Sequence, residues 1–540
     1  MVGAPLEVME HDGVPVREGA AFVFGLRRQI RAVVTAGSEP ELVPLQRLIA
    51  FGSEVHGAKD NFGAASVLED FDLDGQPELV VGNPGAGLPP NDQRPGLAHL
   101  YRLQQGRFQP DRTLRKGTGR ELGLPGLFGL AMLSADFSGD GYPDLIIGSP
   151  GHPRAQGAGP GAVFLFRNKG ELAPNTDFIF FPMAAILDAQ TLMGEGNQSQ
   201  FGLAMAAGDF NGDGRIDLAV GAPNADTGNG EGSGSVFEFH GHDESFSGIR
   251  RLDQSGLSPD EAGDLFGEVL AAGDFDGDGY DDLAVSAARE SVGSGAAQQG
   301  LVLLFRGGPD GLSIDTALDP RDVPGGASDY MLFGSSLATG DFDGDGRTDL
   351  AIGAPGDRSS QSGMPAVVDA GGLHRRDLAE TGRRMTRPCP DRPGGMQRRR
   401  ADSPLCGDVT GPPPVGTAAP KLAERTGMVH MYRSTAGGLI HFQAIGNGSE
   451  WQAGQRFGDA LTSSDLNGDG VGDLVVGASS RDVLGNGGVR SGGVFVYLGG
   501  AEGLTPVQKL SQMPLDADED GDAFGSAFSQ PGTRPFFGAN

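Results

Sequence analysis

Residues 333–355 read FGSSLATGDFDGDGRTDLAIGAP, and this pattern recurs along the 540-residue chain. A Phe-Gly pair opens it, an Asp- and Gly-rich segment follows, and a short apolar run before Gly-Ala-Pro ends it. A motif that recurs at a regular spacing indicates a tandem-repeat protein. Matching Phe-Gly pairs begin at Phe62, Phe128, Phe201, Phe266, Phe333, Phe457 and Phe524, with steps of 66, 73, 65, 67, 124 and 67 residues.

Each repeat predicts four short antiparallel strands. One strand-like run precedes the acidic segment and a second follows it; a third, such as residues 300–305, comes next, and a Gly-rich turn leads to a fourth. Four antiparallel strands per repeat are typical of a β-propeller blade. A solenoid is the alternative, but solenoid repeats are usually shorter. We therefore predict an all-β fold in which residues 1–540 form a single β-propeller domain.

The two ends of the chain each supply part of a blade. Residues 2–5, Val-Gly-Ala-Pro, match the end of a second strand, and residues 19–24 match a third. Residues 522–528 match the start of a first strand. We predict that the last blade is shared between the N- and C-termini, because this pairing closes the ring and removes open sheet edges. A truncated fragment is the alternative. The shared blade lacks the acidic segment and is predicted to bind no metal.

The number of blades depends on residues 361–426, which interrupt the repeat. This segment is rich in Arg and Pro and contains both cysteines, Cys389 and Cys406. If it is an insertion between strands of one blade, with residues 427–432 as the displaced third strand, the propeller has seven blades. If it is a degenerate extra blade, the propeller has eight. The loss of the Phe-Gly pair and the acidic segment favours a seven-bladed β-propeller. The composition itself is typical of disorder, and a gene-model artefact is a third interpretation.

Six acidic segments share the pattern Asp-x-(Asp/Asn/Ser)-x-Asp-Gly-x-x-(Asp/Glu). Calcium takes six to eight oxygen ligands. Side-chain oxygens at positions 1, 3 and 5 converge when the chain curls around an ion, and Gly at position 6 permits the bend. Position 7 can give a backbone carbonyl, so its side chain is expected to vary freely, and the carboxylate at position 9 completes the site. The predicted metal ligands are Asp70, Asp72, Asp74, Gln76, Glu78, Asp136, Ser138, Asp140, Tyr142, Asp144, Asp209, Asn211, Asp213, Arg215, Asp217, Asp274, Asp276, Asp278, Tyr280, Asp282, Asp341, Asp343, Asp345, Arg347, Asp349, Asp465, Asn467, Asp469, Val471 and Asp473.

These loops predict about six structural Ca²⁺ sites that are distinct from EF-hands. An EF-hand needs flanking helices and Glu at position 12, where this chain has an apolar strand residue. Grouped carboxylates repel by roughly 1 kcal/mol per pair even in water, and a bound ion removes that repulsion. Solvated Asp-Gly turns are the alternative interpretation, which six loops in register disfavour. Each loop supplies its own ligands, so no coordination position is expected to remain open for a substrate.

Phe-Gly, the acidic loop and Gly-Ala-Pro in fixed order resemble the FG-GAP repeats of the integrin α-subunit N-terminal β-propeller and of bacterial integrin-like proteins. The resemblance covers nearly all of the chain apart from residues 361–426 and parts of the ends. It implies a seven-bladed propeller with calcium between the first two strands of a blade, and an adhesive or ligand-binding role. Nothing resembles the integrin leg domains, and Gly-Ala-Pro becomes Ser286-Ala287-Ala288 in the fourth repeat. The ligand-contacting residues of integrins are therefore not carried over.

A formal net charge of −30 argues against a nucleic-acid partner and against anionic membranes, because both need a basic surface. No segment is long and apolar enough for direct membrane insertion, and no signal peptide is visible in this chain. We predict a calcium-stabilised interaction or adhesion scaffold that acts outside the cell or at its surface. Its partner is predicted to be a protein or glycan ligand.

Two other functions are considered, and catalysis is not predicted. A carbohydrate-binding, lectin-like propeller is the first, although one Trp and six Tyr offer few stacking platforms. A non-catalytic accessory domain of a secreted enzyme is the second. The paired carboxylates are assigned to calcium, and Ser, His and acidic residues show no catalytic arrangement. The scattered histidines are expected on the surface or in turns; they are His56, His99, His240, His242 and His441.

Overall fold

The computed structural model describes most of the repeat region and parts of both ends. Every element in the part of the chain that it describes is a β-strand. The described residues are 2–4, 8–11, 14–17, 20–26, 42–50, 61–86, 95–115, 126–152, 159–168, 185–188, 192, 199–228, 232–242, 245–258, 261–292, 297–357, 427–446, 456–479, 492–510 and 526–531.

Six blades of four antiparallel strands, taken in chain order, form a β-propeller. We number the blades one to six. Their strands are β6 (Ser66–Glu69), β7 (Glu78–Asn83), β8 (Leu97–Gln104) and β9 (Arg107–Leu114); β10 (Ala131–Ala135), β11 (Asp144–Ser149), β12 (Ala162–Phe166) and β13 (Ala185–Asp188); β14 (Met205–Gly208), β15 (Asp217–Ala222), β16 (Ser235–His242) and β17 (Ser245–Leu252); β18 (Leu270–Gly273), β19 (Asp282–Ala287), β20 (Leu301–Arg306) and β21 (Ser313–Leu318); β22 (Ser336–Gly340), β23 (Asp349–Ala354), β24 (Met428–Arg433) and β25 (Ile440–Ile445); and β26 (Phe457–Ser464), β27 (Asp473–Ala478), β28 (Gly493–Leu498) and β29 (Thr505–Leu510).

The second strand of each blade is buried along its whole length. It carries the apolar run of the repeat, such as Asp-Leu-Ala-Ile-Gly-Ala in β23. A strand covered on both faces needs continuous rather than alternating apolar residues. Core clusters accordingly span neighbouring blades: Val80 and Leu100 of blade one pack in one cluster with Met132 and Leu145 of blade two. The hydrophobic core therefore lies between adjacent sheets.

The Phe-Gly and Gly-Ala-Pro motifs join each blade to the next. The six motif Phe side chains are fully buried. The Gly of Gly-Ala-Pro lies against the backbone of the following Phe-Gly pair, and a Cβ atom added at Gly148 would lie 2.1 Å from the carbonyl oxygen of Gly202. The same addition at Gly221 would meet Gly267 at 2.1 Å. Only glycine allows this approach, which explains the motif.

Six further strands come from the two ends of the chain. They are β1 (Val2–Ala4), β2 (Val8–His11), β3 (Val14–Arg17), β4 (Ala20–Leu26), β5 (Leu42–Leu48) and β30 (Ala527–Pro531). In one sheet, β1 pairs antiparallel with β30 and with β4, β4 pairs antiparallel with β5, and β30 pairs in parallel with β6 of blade one. In the pair of β1 with β30, Val2 lies opposite Phe528. A separate hairpin joins β2 to β3.

The long interruption of the repeat falls between the second and third strands of blade five. β23 pairs directly with β24, in the register Ala354↔Met428. The backbone N–H of Gly427 donates to the carbonyl of Asp357 at 3.2 Å. Residues 361–426, with the three interpretations of them, lie outside the described residues. The predicted counts of seven or eight blades therefore stay predictions.

Candidate cation-binding loops

Each acidic loop connects the first and second strands of a blade. Position 9 is the first residue of the second strand in all six blades. In blade five, for example, Asp349 pairs in register with Gly340, the last residue of β22. Strands rather than helices flank the loop, so the structure agrees with a hairpin and excludes an EF-hand. All of the predicted ligand positions thus lie at one type of turn.

The carboxylate at position 1 holds the curl of the loop. In blade five, Asp341 Oδ1 accepts from the backbone N–H of Asp345 at 3.0 Å, and Oδ2 accepts from that of Gly346 at 2.8 Å. The N–H of Arg347 donates to Asp345 Oδ1 at 3.0 Å. Equivalent bonds of 2.7–3.1 Å occur in the other five loops. The loop geometry is therefore encoded within nine consecutive residues.

The carboxylate at position 9 ties the loop to the rest of its blade. Asp349 Oδ2 accepts from the backbone N–H of Phe342 at 3.1 Å, and Oδ1 accepts from that of Ser434 at 2.8 Å, just after the third strand. The same double contact joins Asp473 to Leu466 and Gly499. One buried side chain thus links three segments of a blade.

Three loops bring three carboxylates close enough to share one ion. In each group the oxygen atoms at positions 1, 3 and 9 lie within 4.8 Å of one another. The other three loops have Ser138, Asn211 or Asn467 at position 3, where a hydroxyl or amide oxygen replaces the carboxylate. Hard oxygen donors in this arrangement fit calcium. The three groups are Asp70, Asp72 and Glu78; Asp274, Asp276 and Asp282; and Asp341, Asp343 and Asp349.

Burial raises the pKa of every position-9 carboxyl. The pKa of Glu78 rises to about 8, and neighbouring carboxylates add to the effect of burial. The pKa is about 7 for Asp144, Asp282 and Asp349 and about 6 for Asp217. The same cause raises the pKa of Asp473 to about 6. These charges are poorly compensated by the protein alone, and a cation would supply the missing compensation.

Position 7 has a role that the sequence did not indicate. In blades four, five and six its side chain lies against position 4 of the loop in the preceding blade. A Cβ atom added at Gly212 would lie 2.4 Å from the ring of Tyr280, and one added at Gly344 would lie 3.1 Å from Val471. The residue type at position 7 does vary between loops, but in these blades its side chain also has a neighbour in another loop. No signal within one repeat could reveal a contact between two repeats.

Two histidines expected on the surface or in turns are buried in strands. His99 is on β8 and His441 is on β25, and both are less than 2% exposed. His441 Nε2 lies 3.3 Å from His430 Nδ1, and His430 Nε2 lies 3.0 Å from Asp357 Oδ2. Burial, and secondarily His430, lowers the pKa of His441 to about 3. The sequence prediction was wrong because these residues occupy inward-facing strand positions. His56 lies outside the described residues.

The FG-GAP repeat family model matches the chain six times. The matches fall on the six blades that carry acidic loops. The chain is an FG-GAP repeat protein. The matched residues are 62–101, 128–166, 201–237, 266–305, 333–368 and 457–497.

The FG-GAP protein is similar to two groups of relatives. It is 33% identical to phosphatidylinositol-glycan-specific phospholipase D of Rattus norvegicus over 39% of this chain and 24% of the relative. It is 33% identical to integrin alpha-PS3 of Drosophila melanogaster over 30% of this chain and 13% of the relative. It is 29% identical to integrin alpha-5 of Xenopus laevis over 42% of this chain and 20% of the relative. The aligned part is thus about a quarter or less of these relatives.

The relatives share repeats with this chain but differ in what their names say they do. One group is named for a phospholipase and the other for integrins. The prediction that this chain is not an enzyme therefore stays a prediction. The described part of the chain contains no helix that is both long and apolar enough to cross a bilayer.

Proposed function

We propose that this FG-GAP protein is a calcium-stabilised scaffold for interactions outside the cell or at its surface. The observation that carries the proposal is the recurrence of one loop geometry. The position-1 carboxylate accepts the same backbone bond in six blades, and the position-9 carboxylate accepts from the N–H of position 2 in five blades and from that of position 3 in blade two. Positions 1, 3, 5 and 9 would hold the ion through side chains and position 7 through its carbonyl. The ions would be structural, because each loop supplies its own donors.

Calcium would act by offsetting carboxylate repulsion in the hairpins. Several negative charges lie at each turn, and the position-9 group is buried with its pKa raised. A bound divalent ion favours the charged forms of these groups and fixes the turn between the first two strands. Because the ion binds the folded loop only, it stabilises the whole protein by mass action.

The test of calcium binding is thermal unfolding with and without a chelator. The melting temperature is expected to be at least about 10 °C lower in EDTA than in 1 mM calcium, since roughly six sites each add binding free energy to the folded state. Restoring calcium should restore the melting temperature, and magnesium at the same concentration should restore less, because it requires a stricter octahedral geometry. Equal melting temperatures in EDTA and in calcium would contradict the proposal.

The partner is proposed to be a protein or a glycan. The acidic surface, with a formal net charge of −30, disfavours nucleic acid and anionic lipid. The experiment is a pull-down from cell-surface and matrix material with the calcium-loaded protein, with the EDTA-treated protein as the control. Binding that needs calcium supports the scaffold. A glycan array tests the lectin-like alternative, because that function requires direct sugar binding.

A second candidate function is favoured by the relatives named phospholipase D. The aligned part is about a quarter of each of these relatives, and the regions of this chain that match a family model are FG-GAP repeats. A non-catalytic accessory role beside an enzyme would therefore use the same calcium-stabilised blades. Hydrolysis of phosphatidylinositol-glycan by the purified chain would contradict a non-catalytic role.

The terminal strands are proposed to form a seventh blade, which lacks an acidic loop. Two core clusters support this: Phe22 of β4 packs with Val494 and Val496 of blade six, while Val23 of the same strand packs with Leu79 of blade one. The sheet β30-β1-β4-β5 would then fill the gap between blades six and one. Its closure would be made by strands from both ends of the chain.

A further inference from the structure

An arginine contacts the position-3 carboxylate in each loop that has Asp there. Arg102 Nη1 lies 3.6 Å from Asp72 Oδ2. Arg433 Nε lies 3.6 Å from Asp343 Oδ2. In blade four, Arg306 pairs with Asp276. One interaction thus occurs three times, in three different blades.

The three arginines occupy one structural position near the end of the third strand. Arg102 lies directly opposite the position-9 residue Glu78. Arg306 follows Phe305, which pairs with Leu283, and Arg433 follows Tyr432, which pairs with Leu350. The fold therefore places a cationic side chain beside the same edge of each of these loops.

The fourth strand holds each arginine from the other side. Arg102 Nε lies 3.2 Å from Asp111 Oδ2, and Arg306 Nε lies 3.0 Å from Asp315 Oδ2. The guanidinium carbon of Arg433 lies 4.6 Å from the ring centroid of Phe442. Such double contacts restrict the rotamers of a long side chain. The arginines are positioned groups rather than mobile surface charges.

Loops with Asn at position 3 have no arginine at the matching place. His240 occupies it in blade three and Leu498 in blade six. His240 Nε2 lies 2.9 Å from Glu238 Oε1. In these blades the loss of the fourth carboxylate coincides with the loss of the arginine.

Charge counting gives the same total for five of the six loops. Four carboxylates and one arginine give −3 in blades one, four and five, and three carboxylates with Asn give −3 in blades three and six when His is counted as neutral. Blade two differs, because Ser138 is accompanied by Arg167, which gives −2. The paired exchange of Asp with Arg for Asn without Arg therefore keeps constant the summed charge of positions 1, 3, 5 and 9 and the third-strand residue. Asp111 and Asp315, which pair with Arg102 and Arg306, and the position-7 residues Arg215 and Arg347 lie outside this sum.

We propose that Arg102, Arg306 and Arg433 are built-in counter-ions that set the charge and the affinity of three cation sites. Each neutralises the extra carboxylate of its loop, keeps the empty loop folded, and weakens binding of a divalent cation by repulsion. The inference rests on the proposed calcium function. A positive charge this near a divalent ion is worth about a tenfold change in affinity when partly screened. The loop of blade two, with the smallest negative charge, is expected to bind most weakly.

The test compares Arg306→Gln with Arg321→Gln in the same blade. Arg321 also pairs with a carboxylate, Asp319, and is similarly exposed, but Asp319 follows the fourth strand and belongs to none of the six acidic loops. Binding is measured with Tb³⁺, whose emission is sensitised by Tyr280 in the loop of blade four, and with calcium as competitor. All proteins carry Tyr142→Leu to remove the signal of the loop in blade two, and Asp213→Ala to weaken ion binding in the loop of blade three, whose Gly212 lies against Tyr280. Melting temperatures are recorded in EDTA.

Arg306→Gln is expected to bind Tb³⁺ and calcium about tenfold more tightly at this loop and to melt at a lower temperature in EDTA than Arg321→Gln. The double variant Asp276→Asn with Arg306→Leu recreates the residues of blade six and should return both values close to the parent. If the single variant does not fold, the double variant still tests the counter-ion role. Unchanged or weaker binding in Arg306→Gln, or an unrestored double variant, would overturn the counter-ion role. A parent protein that binds neither ion would instead overturn the calcium function, and the inference with it.

Discussion

At the scale of single residues, the residue before each Phe-Gly pair adopts a left-handed backbone conformation. All six have φ between 54° and 58°. Among them only Asn61 is of a type that favours this region, and the conformation costs roughly 1–2 kcal/mol for other non-glycine residues. The turn that follows inserts a fully buried Phe between two blades, which offsets the cost. The other five residues are Leu127, Gln200, Leu265, Leu332 and Arg456.

A buried pair of carboxyl groups, Asp264 and Glu290, lies where blade three meets blade four. Each side chain is 4% exposed. Gln254 Nε2 donates to Asp264 Oδ2 at 2.6 Å and lies 3.4 Å from Glu290 Oε2. Burial, followed by the charge of Asp264, raises the pKa of Glu290 to about 8. The pair is therefore best accommodated when it holds a proton.

Stability is expected to fall with rising pH because of this pair. A raised folded-state pKa contributes stability that is present below about pH 4.5 and lost as the pH rises through about 8. Glu290→Gln keeps the shape and removes the titration. Between pH 6 and 9, the parent should lose about 1–2 °C of melting temperature per pH unit relative to this variant, at constant calcium.

The control for the carboxyl pair is Glu261→Gln. Glu261 is exposed, and its backbone N–H donates to Asp264 Oδ2 at 2.9 Å. This variant should follow the pH profile of the parent. Parallel profiles for the parent and Glu290→Gln would show that the buried pair does not hold the extra proton.

At the scale of elements, neighbouring hairpin loops contact each other through positions 7 and 4. Tyr280 packs over Gly212, whereas a Cβ atom added at the matching Gly139 in blade two would have no atom within 4 Å. Both glycines have φ of 71°. They therefore differ in the contact with the next loop and not in backbone strain.

Replacing each of these glycines with alanine distinguishes the destabilisation caused by the contact between loops from the destabilisation caused by backbone strain. Gly139→Ala should cost about 1 kcal/mol, from the left-handed conformation alone. Gly212→Ala should cost about 2–4 kcal/mol, because its methyl group overlaps the Tyr280 ring. The free energy of unfolding from urea titration in saturating calcium is the measurement. Adding Tyr280→Ala should remove most of the difference. Equal costs for the two alanine variants would refute the contact between loops.

At the scale of the whole molecule, β30 connects the two ends of the chain. It pairs with β1 on one side and with β6 of blade one on the other. A protein that ends at residue 525 lacks this strand, so two strand edges become unpaired. We expect its melting temperature to be at least about 5 °C lower than that of the full chain.

The matched control ends at residue 531 and keeps β30. It should melt like the full chain. If both truncated proteins melt at the same temperature as the full chain, the terminal strands do not close the propeller and the proposed seventh blade is wrong.

The amino-acid sequence was sufficient to predict the all-β class, the strands of each blade and the six acidic loops. It could do so because these features depend on residues that are neighbours in the chain: the bonds from Asp341 to Asp345 and Gly346 span five residues. The six matches to the FG-GAP repeat family model confirm that this pattern repeats along the chain.

The contacts between repeats could not be predicted from the sequence and became visible only in the assembled fold. Tyr280 meets Gly212 across two blades, Arg306 reaches Asp276 from the third strand, and Asp264 meets Glu290 beside Gln254. These partners are separated by 10–68 residues, and each repeat looks complete without them. The physical reason is that hairpin loops fold on local hydrogen bonds, whereas the charge and packing around them are set when the sheets assemble side by side.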